Sequence, residues 1–364
     1  MTVDVKYMKR AMSLAKRGAG WVNPNPMVGA VLVKDGRIIG EGFHEFFGGA
    51  HAEVNAINSA NEPVVGSTLY VTLEPCSHEG KTPPCCNLIA EKGIARVVIG
   101  TADPNPLVHG NGISYLKSHG ITVETGVLEE EVVMMNEAFN KFIVTGLPFV
   151  VLKSAMTLDG KIATVTNASR WITGEKSRKM VHHMRQQWMA VMIGVDTVLF
   201  DDPLLNIRLK GSWKNPLKVI ADTHGRIPLD AAGLKNDPQL AIIATTCLAD
   251  KEKMKTIERM GAQVLICPLK NGRVDLGFVM HSLGAMDIDS VMVEGGSTLA
   301  FSLLQERLVD KVITFIAPKI LGGTTAPTSV GGIGIACMDD ALNLVNLKTT
   351  KAGEDIMVEA WVAK

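Results

Sequence analysis

The segment between residues 51 and 85 contains the pattern that most restricts how this chain of 364 residues can fold. His51-Ala52-Glu53 is followed, 22 residues after Glu53, by Pro75-Cys76, and eight residues separate Cys76 from Cys85. One imidazole and two thiolates fill three corners of a zinc tetrahedron, and catalytic zinc sites keep the fourth corner open for water. The fold must therefore bring one histidine and two cysteines that are distant in sequence to a single point.

Glu53 is predicted to act as an acid–base group beside this metal. Both ligand segments begin a helix, since Gly48-Gly49 precedes His51 and Pro83-Pro84 precedes Cys85. The positive end of a helix dipole favours an anion by roughly 0.3–1 kcal/mol, which favours thiolate over thiol. Because two thiolates leave zinc a weaker Lewis acid, an adjacent base becomes useful. The carboxylate can take a proton from bound water and later protonate a leaving group.

The charge balance and the amino-acid composition indicate which kinds of binding partner and which cellular location to expect. Lys+Arg and Asp+Glu both total 37, so the net charge is zero and nothing favours nucleic acid or an anionic membrane. The first residues lack an apolar signal core, and Gly, Lys and Asp interrupt every apolar run. The six cysteines are unevenly spread, with three crowded into residues 76–86, which is unlike a disulfide framework. We expect a cytoplasmic enzyme.

Two α/β domains are predicted, because the chain is too long for one typical core. Helical and strand patterns alternate before and after a linker at residues 145–148. Strands are predicted in the first part at 28–33, 37–42, 68–73, 95–100 and 121–124, with one long helix at 129–142 after them. Strands are predicted in the second part at 149–154, 190–194, 217–222, 241–245, 263–267, 290–294 and 311–317, followed by a hairpin at 344–362 that turns at 353–354. The domain boundaries are therefore set at 1–146 and 147–364.

The motifs of the first part resemble a known family. In order they are Asn23-Pro24-Asn25-Pro26-Met27-Val28-Gly29, His51-Ala52-Glu53, Thr72-Leu73-Glu74-Pro75-Cys76-Ser77-His78, Gly80-Lys81-Thr82-Pro83-Pro84-Cys85 and Asp103-Pro104-Asn105-Pro106. They resemble the deaminase half of the bifunctional riboflavin-biosynthesis deaminase–reductases. Zinc deaminases commonly place two residues between their cysteines, whereas the insertion here carries Gly-Lys-Thr-Pro-Pro, which distinguishes this family from nucleoside and tRNA deaminases.

This resemblance implies a cytidine-deaminase-like three-layer α/β/α domain. It implies one Zn²⁺ held by His51, Cys76 and Cys85, with Glu53 catalytic. It also implies a pyrimidine and phosphate site formed by Asn25, His44, His78, Lys81 and Asn105. Amides and imidazoles suit the donors and acceptors of a pyrimidinone, and a lysine suits a phosphomonoester. The alternative for the two asparagines is turn formation beside proline.

The second part contains a strand that runs into a glycine turn and a helix, Ser290-Val291-Met292-Val293-Glu294-Gly295-Gly296-Ser297. Glycines let backbone amides approach a phosphate, and the helix start supplies positive potential. The pattern lacks G-x-G-x-x-G, so it does not indicate a Rossmann domain. By itself such a turn is often only structural.

Further motifs extend the resemblance to essentially the whole chain. They are Leu158-Asp159-Gly160-Lys161-Ile162-Ala163, Trp171-Ile172-Thr173, Gly194-Val195-Asp196-Thr197 and Asp201-Asp202-Pro203. They resemble the reductase half of the same family, which implies a dihydrofolate-reductase-like α/β domain that uses NADPH. The implied NADPH contacts are Ala155, Trp171, Thr197, Asp201 and the 296–302 turn, with Gly296, Ser297 and Thr298. The implied substrate contacts are Ser169, Arg185, Leu205, Arg208 and Glu294.

The two arginines suit a phosphate, which guanidinium binds bidentately, although solvated surface charge is the alternative. Lys153 and Asp201 are candidate proton sources for the reductase. One departure is that Asn167-Ala168 precede Ser169, where family members usually carry Gly and an acidic residue.

The resemblance implies deamination of a diaminopyrimidinone ribosyl phosphate and then reduction of its ribosyl group to ribityl by NADPH. The partners implied are this small phosphorylated pyrimidine and further copies of the chain, without nucleic acid or membrane. Three alternatives stay open. One is a nucleoside or RNA deaminase with an unrelated appendage. Another is a structural-zinc interaction module in which Cys86 or His78 is a fourth ligand. The third is that one half is inactive.

Overall fold

The structure of the protein, a computed structural model, describes residues 2–77, 84–105, 108–211 and 213–363. The chain divides into two units, Met1–Gly146 and Leu147–Lys364. The division falls within the stretch Thr145-Gly146-Leu147-Pro148, which we interpreted as a linker. The two units are described in turn.

The first unit is built on a mixed sheet with helices packed against it. Its elements are α1 (Val3–Ala15), β1 (Gly29–Lys34), β2 (Arg37–Phe43), α2 (Ala52–Asn58), β3 (Thr68–Leu73), α3 (Cys85–Glu91), β4 (Arg96–Thr101), α4 (Asn111–Ser118), β5 (Thr122–Thr125), α5 (Glu129–Met135) and α6 (Glu137–Thr145). Within the described residues the sheet order is β2-β1-β3-β4-β5. β1 is antiparallel to β2 and β3, while β3, β4 and β5 are parallel.

Close packing of α2 on β2 places the start of α2 at the sheet. A Cβ added to Gly40 would lie 2.4 Å from the carbonyl oxygen of Ala56, and one added to Gly42 would lie 2.3 Å from the Ala56 nitrogen. Only glycine allows the helix backbone to approach the strand this closely. The hairpin before it turns at Asp35 and Gly36, both with positive φ, a conformation that an Asp-Gly pair adopts readily in a two-residue hairpin turn.

The long helix predicted at 129–142 is wrong in one respect, because two helices occupy this region. α5 ends at Met135 and α6 begins at Glu137. Between them, buried Asn136 accepts a hydrogen bond from the backbone N–H of Met27 (2.9 Å) and donates one to its carbonyl (3.0 Å). Asparagine side chains compete with helical hydrogen bonds in this way. The break therefore fixes the segment before β1, which carries Asn25.

The second unit is a larger α/β structure. Its elements are β6 (Phe149–Thr157), α7 (Glu175–Gln187), β7 (Ala190–Gly194), α8 (Val195–Asp201), β8 (Leu217–Ala221), α9 (Ala232–Lys235), β9 (Ala241–Thr245), α10 (Lys251–Arg259), β10 (Gln263–Ile266), β11 (Leu269–Lys270), β12 (Arg273–Val274), α11 (Leu276–Ala285), β13 (Ser290–Glu294), α12 (Ser297–Gln305), β14 (Lys311–Ala317), β15 (Leu344–Ala352) and β16 (Asp355–Val362).

Its main sheet has the order β10-β9-β8-β7-β13-β6-β14-β16-β15 in the described part of the chain. The strands from β10 to β14 are parallel, and β16 and β15 continue the sheet antiparallel. β9 and β13 are buried along their whole length, as expected for parallel strands covered on both faces. The predicted strands and the C-terminal hairpin are confirmed, whereas the short β11–β12 hairpin was not predicted.

Among the described helices, none is both long and apolar enough to cross a lipid bilayer.

Candidate active sites

Three side chains of the first unit, which the sequence predicts to be metal ligands, converge on one point. His51 is the N-cap residue of α2, Cys76 follows β3 and Cys85 is the first residue of α3. The Nδ1 atom of His51 lies 3.2 Å from Cys85 Sγ and 3.6 Å from Cys76 Sγ, and all three ligand atoms lie within 4.8 Å of one another. A tetrahedral zinc with bonds of about 2.0–2.3 Å separates its ligand atoms by about 3.5–3.8 Å. The observed spacing fits that ion.

The chemistry of the donor set also favours a cation. A hydrogen bond from the Cys85 thiol, together with the hydrogen bond and charge of His51, lowers the pKa of Cys76 although burial acts to raise it. The Cys76 side chain in turn raises the pKa of Cys85, and burial adds to the rise. Two sulfurs this close cannot both ionise without a positive charge between them. A divalent ion would supply that charge, so these residues fit Zn²⁺.

Glu53 lies in the first turn of α2, two residues after His51, and only 3% of the residue is exposed. Burial raises the pKa of Glu53 to about 7, against the opposing charge of His51. A carboxyl group with a pKa near neutrality can both accept and release a proton. Glu53 thus has the location and the acidity expected of a proton carrier.

Cys86 points away from the ligand cluster. Its thiol donates to the carbonyl oxygens of Pro75 (3.2 Å) and Gly112 (3.6 Å), and its side chain belongs to the hydrophobic core of the unit. Among the described residues the ligand group consists of His51, Cys76 and Cys85. His78, the other candidate fourth ligand, lies outside the described residues.

Two predicted pyrimidine-site residues contact each other beside the ligands. His44 is buried, and its ring lies edge-on to that of His51 at 5.9 Å between centroids. Burial lowers the pKa of His44, so the ring is neutral at pH 7. Its Nδ1 lies 3.0 Å from the carbonyl oxygen of Ala50 and must donate to it, which leaves Nε2 to accept from Asn25 Nδ2 at 3.2 Å. This pair fixes which way the Asn25 amide points.

The remaining deaminase predictions have different outcomes. Lys81, like His78, lies outside the described residues. Asn105 lies in a turn, since its backbone N–H donates to Asp103 Oδ1 at 2.9 Å. Sequence reasoning gave no role to Glu74, a buried carboxyl group two residues before Cys76 that accepts from Asp103 N–H. Its place in the Thr72–Cys76 motif was the available signal.

A cleft of about 1960 Å³ in the second unit follows the carboxyl ends of the parallel strands. It is open at the surface and large enough for a dinucleotide and a second ligand. The structure brings all the predicted reductase residues to this one cleft: Ala155, Ser169, Trp171, Arg185, Thr197, Asp201, Leu205, Arg208, Glu294, Gly296, Ser297 and Thr298. Their contacts with cofactor or substrate stay predictions.

A buried ion cluster forms part of the cleft wall. Arg185 donates from Nε to Glu294 Oε1 (2.6 Å) and from Nη2 to Oε2 (3.0 Å), while its Nη1 donates to the carbonyl of Asn206 (2.9 Å). Lys153, which pairs with Glu294 across β6 and β13, has its Nζ 3.7 Å from Oε2. Burial would raise the pKa of Glu294, but the charges of Arg185 and Lys153 outweigh burial and lower it to about 2. Three donors of Arg185 are thus already committed within the protein.

The turn after β13 suits a diphosphate. Gly295 and Gly296 have φ of +81° and +78°, and α12 begins at the next residue. A Cβ at either glycine would lie 3.7 Å from Thr197 Oγ1, so the turn faces the start of α8 with little space between them. Backbone N–H groups at a helix start bind phosphate groups. The geometry therefore fits the diphosphate of NADPH.

The unusual residues before Ser169 do not prevent a family-like loop. Asn167 has φ of +63°, a left-handed conformation that asparagine tolerates better than other side chains. A glycine at this position would adopt the same backbone conformation. Ser169 Oγ then donates to Asp201 Oδ1 at 3.0 Å, and Arg170 donates to the Asp201 carbonyl. The departure in sequence thus leaves Ser169 and Asp201 together.

His182 is a cleft residue that sequence reasoning missed. It lies one helical turn before Arg185 on α7, and its Nδ1 accepts from the backbone N–H of Arg208 at 3.4 Å. Burial, followed by the charges of Arg185 and Arg208, lowers the pKa of His182 to about 4. His182 is therefore a neutral acceptor that holds the Arg208 segment. Its spacing of three residues from Arg185 was the only signal.

Comparisons with known proteins extend over both units. Residues 1–101 match the family model for the cytidine and deoxycytidylate deaminase zinc-binding region, and residues 148–358 match the RibD C-terminal domain. The riboflavin biosynthesis protein RibD of Actinobacillus pleuropneumoniae is 46% identical over 356 residues, covering 98% of this chain and 94% of that protein.

Two solved structures are similar over the whole chain. Acinetobacter baumannii RibD, form 1, is 37% identical with a TM-score of 0.89, covering 100% of this chain and 99% of that one. A Thermotoga maritima diaminohydroxyphosphoribosylaminopyrimidine deaminase/5-amino-6-(5-phosphoribosylamino)uracil reductase is 41% identical with a TM-score of 0.84, covering 99% of each chain. The predicted fold classes of both halves are confirmed. The alternative of a deaminase with an unrelated appendage is wrong.

Proposed function

The chain belongs to the RibD family of riboflavin biosynthesis proteins, and from that membership we propose which residues of each unit carry its two reactions. The protein is a deaminase and a reductase, with zinc and NADPH as cofactors. We assign deamination to residues 1–146 and reduction to residues 147–364. The observation that carries this division is that a three-ligand metal cluster beside Glu53 lies in one unit and a dinucleotide-sized cleft lies in the other.

The deaminase substrate is proposed to be the diaminopyrimidinone ribosyl phosphate. His51, Cys76 and Cys85 would hold the zinc ion, which when bound would lower the pKa of a water molecule so that this water can act as the nucleophile. Glu53 takes a proton on its buried carboxylate and returns it to the departing amine, because burial has brought its pKa close to neutrality. Its burial also keeps bulk water from supplying competing protons.

Asn25 is proposed to recognise the pyrimidine ring. Since His44 Nε2 accepts from the Asn25 amide nitrogen, the amide oxygen of Asn25 is directed away from His44 and is available to accept from the substrate amine. His44 is held in turn by the Ala50 carbonyl, one residue before the zinc ligand His51. The ring and the metal are thus positioned by the same short segment. His78, Lys81 and Asn105 are proposed for the remaining pyrimidine and phosphate contacts.

The reductase is proposed to convert the ribosyl group to ribityl. NADPH supplies the hydride. The cofactor is held by Ala155, Trp171, Thr197, Asp201 and the turn that begins at Gly296. Glu294 is ionised and fully paired, so it accepts hydrogen bonds and does not donate a proton. Lys153, whose pKa burial lowers against the pull of Glu294, is proposed as the donor to the ribose oxygen.

Substrate phosphate binding is proposed at Arg208. This residue is exposed and lines the cleft, and its Nη1 donates to Asn206 Oδ1 (2.9 Å), so other guanidinium N–H groups can donate to a ligand there. Arg185 is proposed to act mainly through Glu294 and Asn206. Ser169 and Leu205 are proposed as further substrate contacts.

A homo-oligomer and a cytoplasmic location are also proposed. Edge strand β15 is exposed almost throughout, and the segment before it exposes Ile333, Ile335 and Met338. Exposed apolar surface beside an open sheet edge favours association with another copy. All six cysteines are free thiols, which suits a reducing compartment.

Product identification tests the assignment. The protein is incubated with the diaminopyrimidinone ribosyl phosphate alone, and then with NADPH added. We expect release of ammonia in the first reaction and a ribitylaminouracil phosphate in the second, with one NADPH oxidised per product. NADPH oxidation without prior ammonia release would contradict the proposed order, and absence of ammonia release would contradict the deaminase assignment.

A further inference from the structure

The carboxyl group of Glu74 connects the metal-ligand segment to the segment that carries Asn105. Its Oε2 atom accepts from the backbone N–H groups of Asp103 and Gly110, both at 3.1 Å, and its Oε1 accepts from that of Ile113, also at 3.1 Å. Only 3% of Glu74 is exposed. Its own N–H donates to the carbonyl of Thr101 at 3.0 Å. One buried side chain thus holds three backbone groups on both sides of Asn105.

Residues on the two sides of Asn105 are also bound to one another. The Asn105 carbonyl accepts from Val108 N–H (2.9 Å) and from His109 N–H (3.0 Å). His109 donates from Nδ1 to the carbonyl of Asp103 at 2.9 Å, and Asp103 Oδ1 accepts from Asn105 N–H at 2.9 Å. Because these residues form one internally bonded group, fixing its attachment points fixes Asn105.

The ligand segment itself lies against α4. A Cβ added to Gly112 would lie 2.2 Å from the Pro75 carbonyl oxygen, so only glycine permits this approach. The Cys86 thiol donates to both Pro75 and Gly112 carbonyls. Between Glu74 and Cys76, therefore, the chain is in direct backbone contact with the start of α4. A displacement of Glu74 would therefore move both the segment that carries Cys76 and the segment that carries Asn105.

We propose that Glu74 is a positioning residue of the deaminase: its three hydrogen bonds set the distance between the zinc ligand Cys76 and the substrate contact Asn105. The inference rests on the proposed role of Asn105. Two residues of one motif then have different roles: Cys76 binds the metal, and Glu74 positions the substrate contact Asn105. Glu74 lies outside the ligand group of His51, Cys76 and Cys85, and its carboxyl oxygens accept from backbone N–H groups.

A double-mutant cycle tests this coupling. Glu74→Gln replaces one acceptor oxygen with an NH₂ group that faces a backbone N–H donor. We expect the deaminase KM to rise about tenfold, with kcat changed less than about threefold and one zinc retained per chain. In an Asn105→Ala background, the same substitution should change KM less than twofold, because the residue that Glu74 positions is gone.

Controls separate positioning from general loss of stability. Asp4→Asn removes the negative charge and one of the two acceptor oxygens that face Arg96 and Tyr70 in the same unit, far in sequence from Asn105, and should lower the melting temperature without raising KM. Asp103→Ala releases Asn105 N–H while leaving Glu74 in place, and should raise KM even if Glu74→Gln fails to fold. Reductase activity should be unchanged in every variant.

The outcomes distinguish this inference from the proposed function. Loss of zinc from Glu74→Gln, an equal KM effect in both backgrounds, or unchanged KM in Asp103→Ala would overturn the role of Glu74. Normal kinetics of Asn105→Ala would overturn the proposed substrate contact and this inference with it. An impaired Asn105→Ala beside a normal Glu74→Gln would overturn the positioning role alone.

Discussion

Replacing Glu294 with glutamine should destabilise the second unit in a pH-dependent way. The carboxylate accepts two hydrogen bonds from Arg185 and lies 3.7 Å from Lys153 Nζ, with 8% of the residue exposed. Glu294→Gln puts an NH₂ group against a guanidinium donor and leaves the buried arginine without its counter-charge. Removing one partner of a buried ion pair costs about 3–5 kcal/mol.

The pH dependence follows from the pKa of Glu294. The charges of Arg185 and Lys153 outweigh the effect of burial and lower its pKa from 4.5, the value of an unperturbed glutamate, to about 2 in the folded protein. A lowered pKa means that the ionised form favours the folded state, so this stabilisation is present above pH 4.5 and is lost as pH falls through 2. A shift of this size corresponds to about 3 kcal/mol near neutrality. Between pH 6 and pH 3, the difference between wild type and Glu294→Gln should shrink by about 2 kcal/mol.

Urea unfolding followed by tryptophan fluorescence measures this difference, since Trp171, Trp188, Trp213 and Trp361 lie in the second unit and only Trp21 in the first. Glu306→Gln is the matched control, because it removes a surface ion pair with Lys270 in the same unit and should have little effect at any pH. A stability difference below 1 kcal/mol at neutral pH, or one that stays constant down to pH 3, would refute the reasoning.

Four shorter predictions test the proposed sites. Glu53→Gln should retain zinc by metal analysis yet lose ammonia release, because an amide cannot carry protons; near-normal deamination would contradict the mechanism. Cys86→Ser should leave zinc content unchanged, since its thiol faces two backbone carbonyls, and metal loss would identify it as a ligand. Gly296→Val should raise the KM for NADPH by roughly tenfold or more, on the basis of about 1.5–3 kcal/mol per lost hydrogen bond to a charged group, without affecting deamination. Gly261→Val serves as its control, because Gly261 is another glycine of the same unit with a positive φ. If Gly296→Val lowers deaminase and reductase activity equally, the turn at Gly295 and Gly296 has only a structural role. Removing zinc with a chelator should stop deamination while NADPH oxidation with the deaminated intermediate continues; loss of both would contradict independent units.

The pattern of the sequence was sufficient to predict the architecture and the convergence of His51, Cys76 and Cys85. Parallel strands such as β9 and β13 are buried on both faces, and the sequence signals this by consecutive apolar residues at 241–244 and 291–293. The candidate ligands could be predicted from the sequence for a chemical reason, because few residue types bind zinc and because glycine and proline mark the helix starts beside them.

The break between α5 and α6 at Asn136 could not be predicted from the sequence. Residues 129–142 have a helical pattern throughout, but Asn136 pairs with Met27, which is 109 residues away. Local pattern contains no information about a partner at that distance. The break in the helix was therefore decided by a tertiary contact that outweighed local propensity.

The sequence by itself determined which groups can perform the chemistry: a histidine, two cysteines and a glutamate for the metal, and a glycine turn for the cofactor. Only the tertiary structure decided how the polar groups divide their work. Arg185 resembled a phosphate ligand in the sequence but is paired with Glu294, and Glu74 resembled a motif residue but holds the Asn105 segment. The physical reason is that the sequence gives the type of a charged residue but not whether its side chain faces solvent, substrate or another charge. Its role depends on which neighbour the fold places within hydrogen-bond distance.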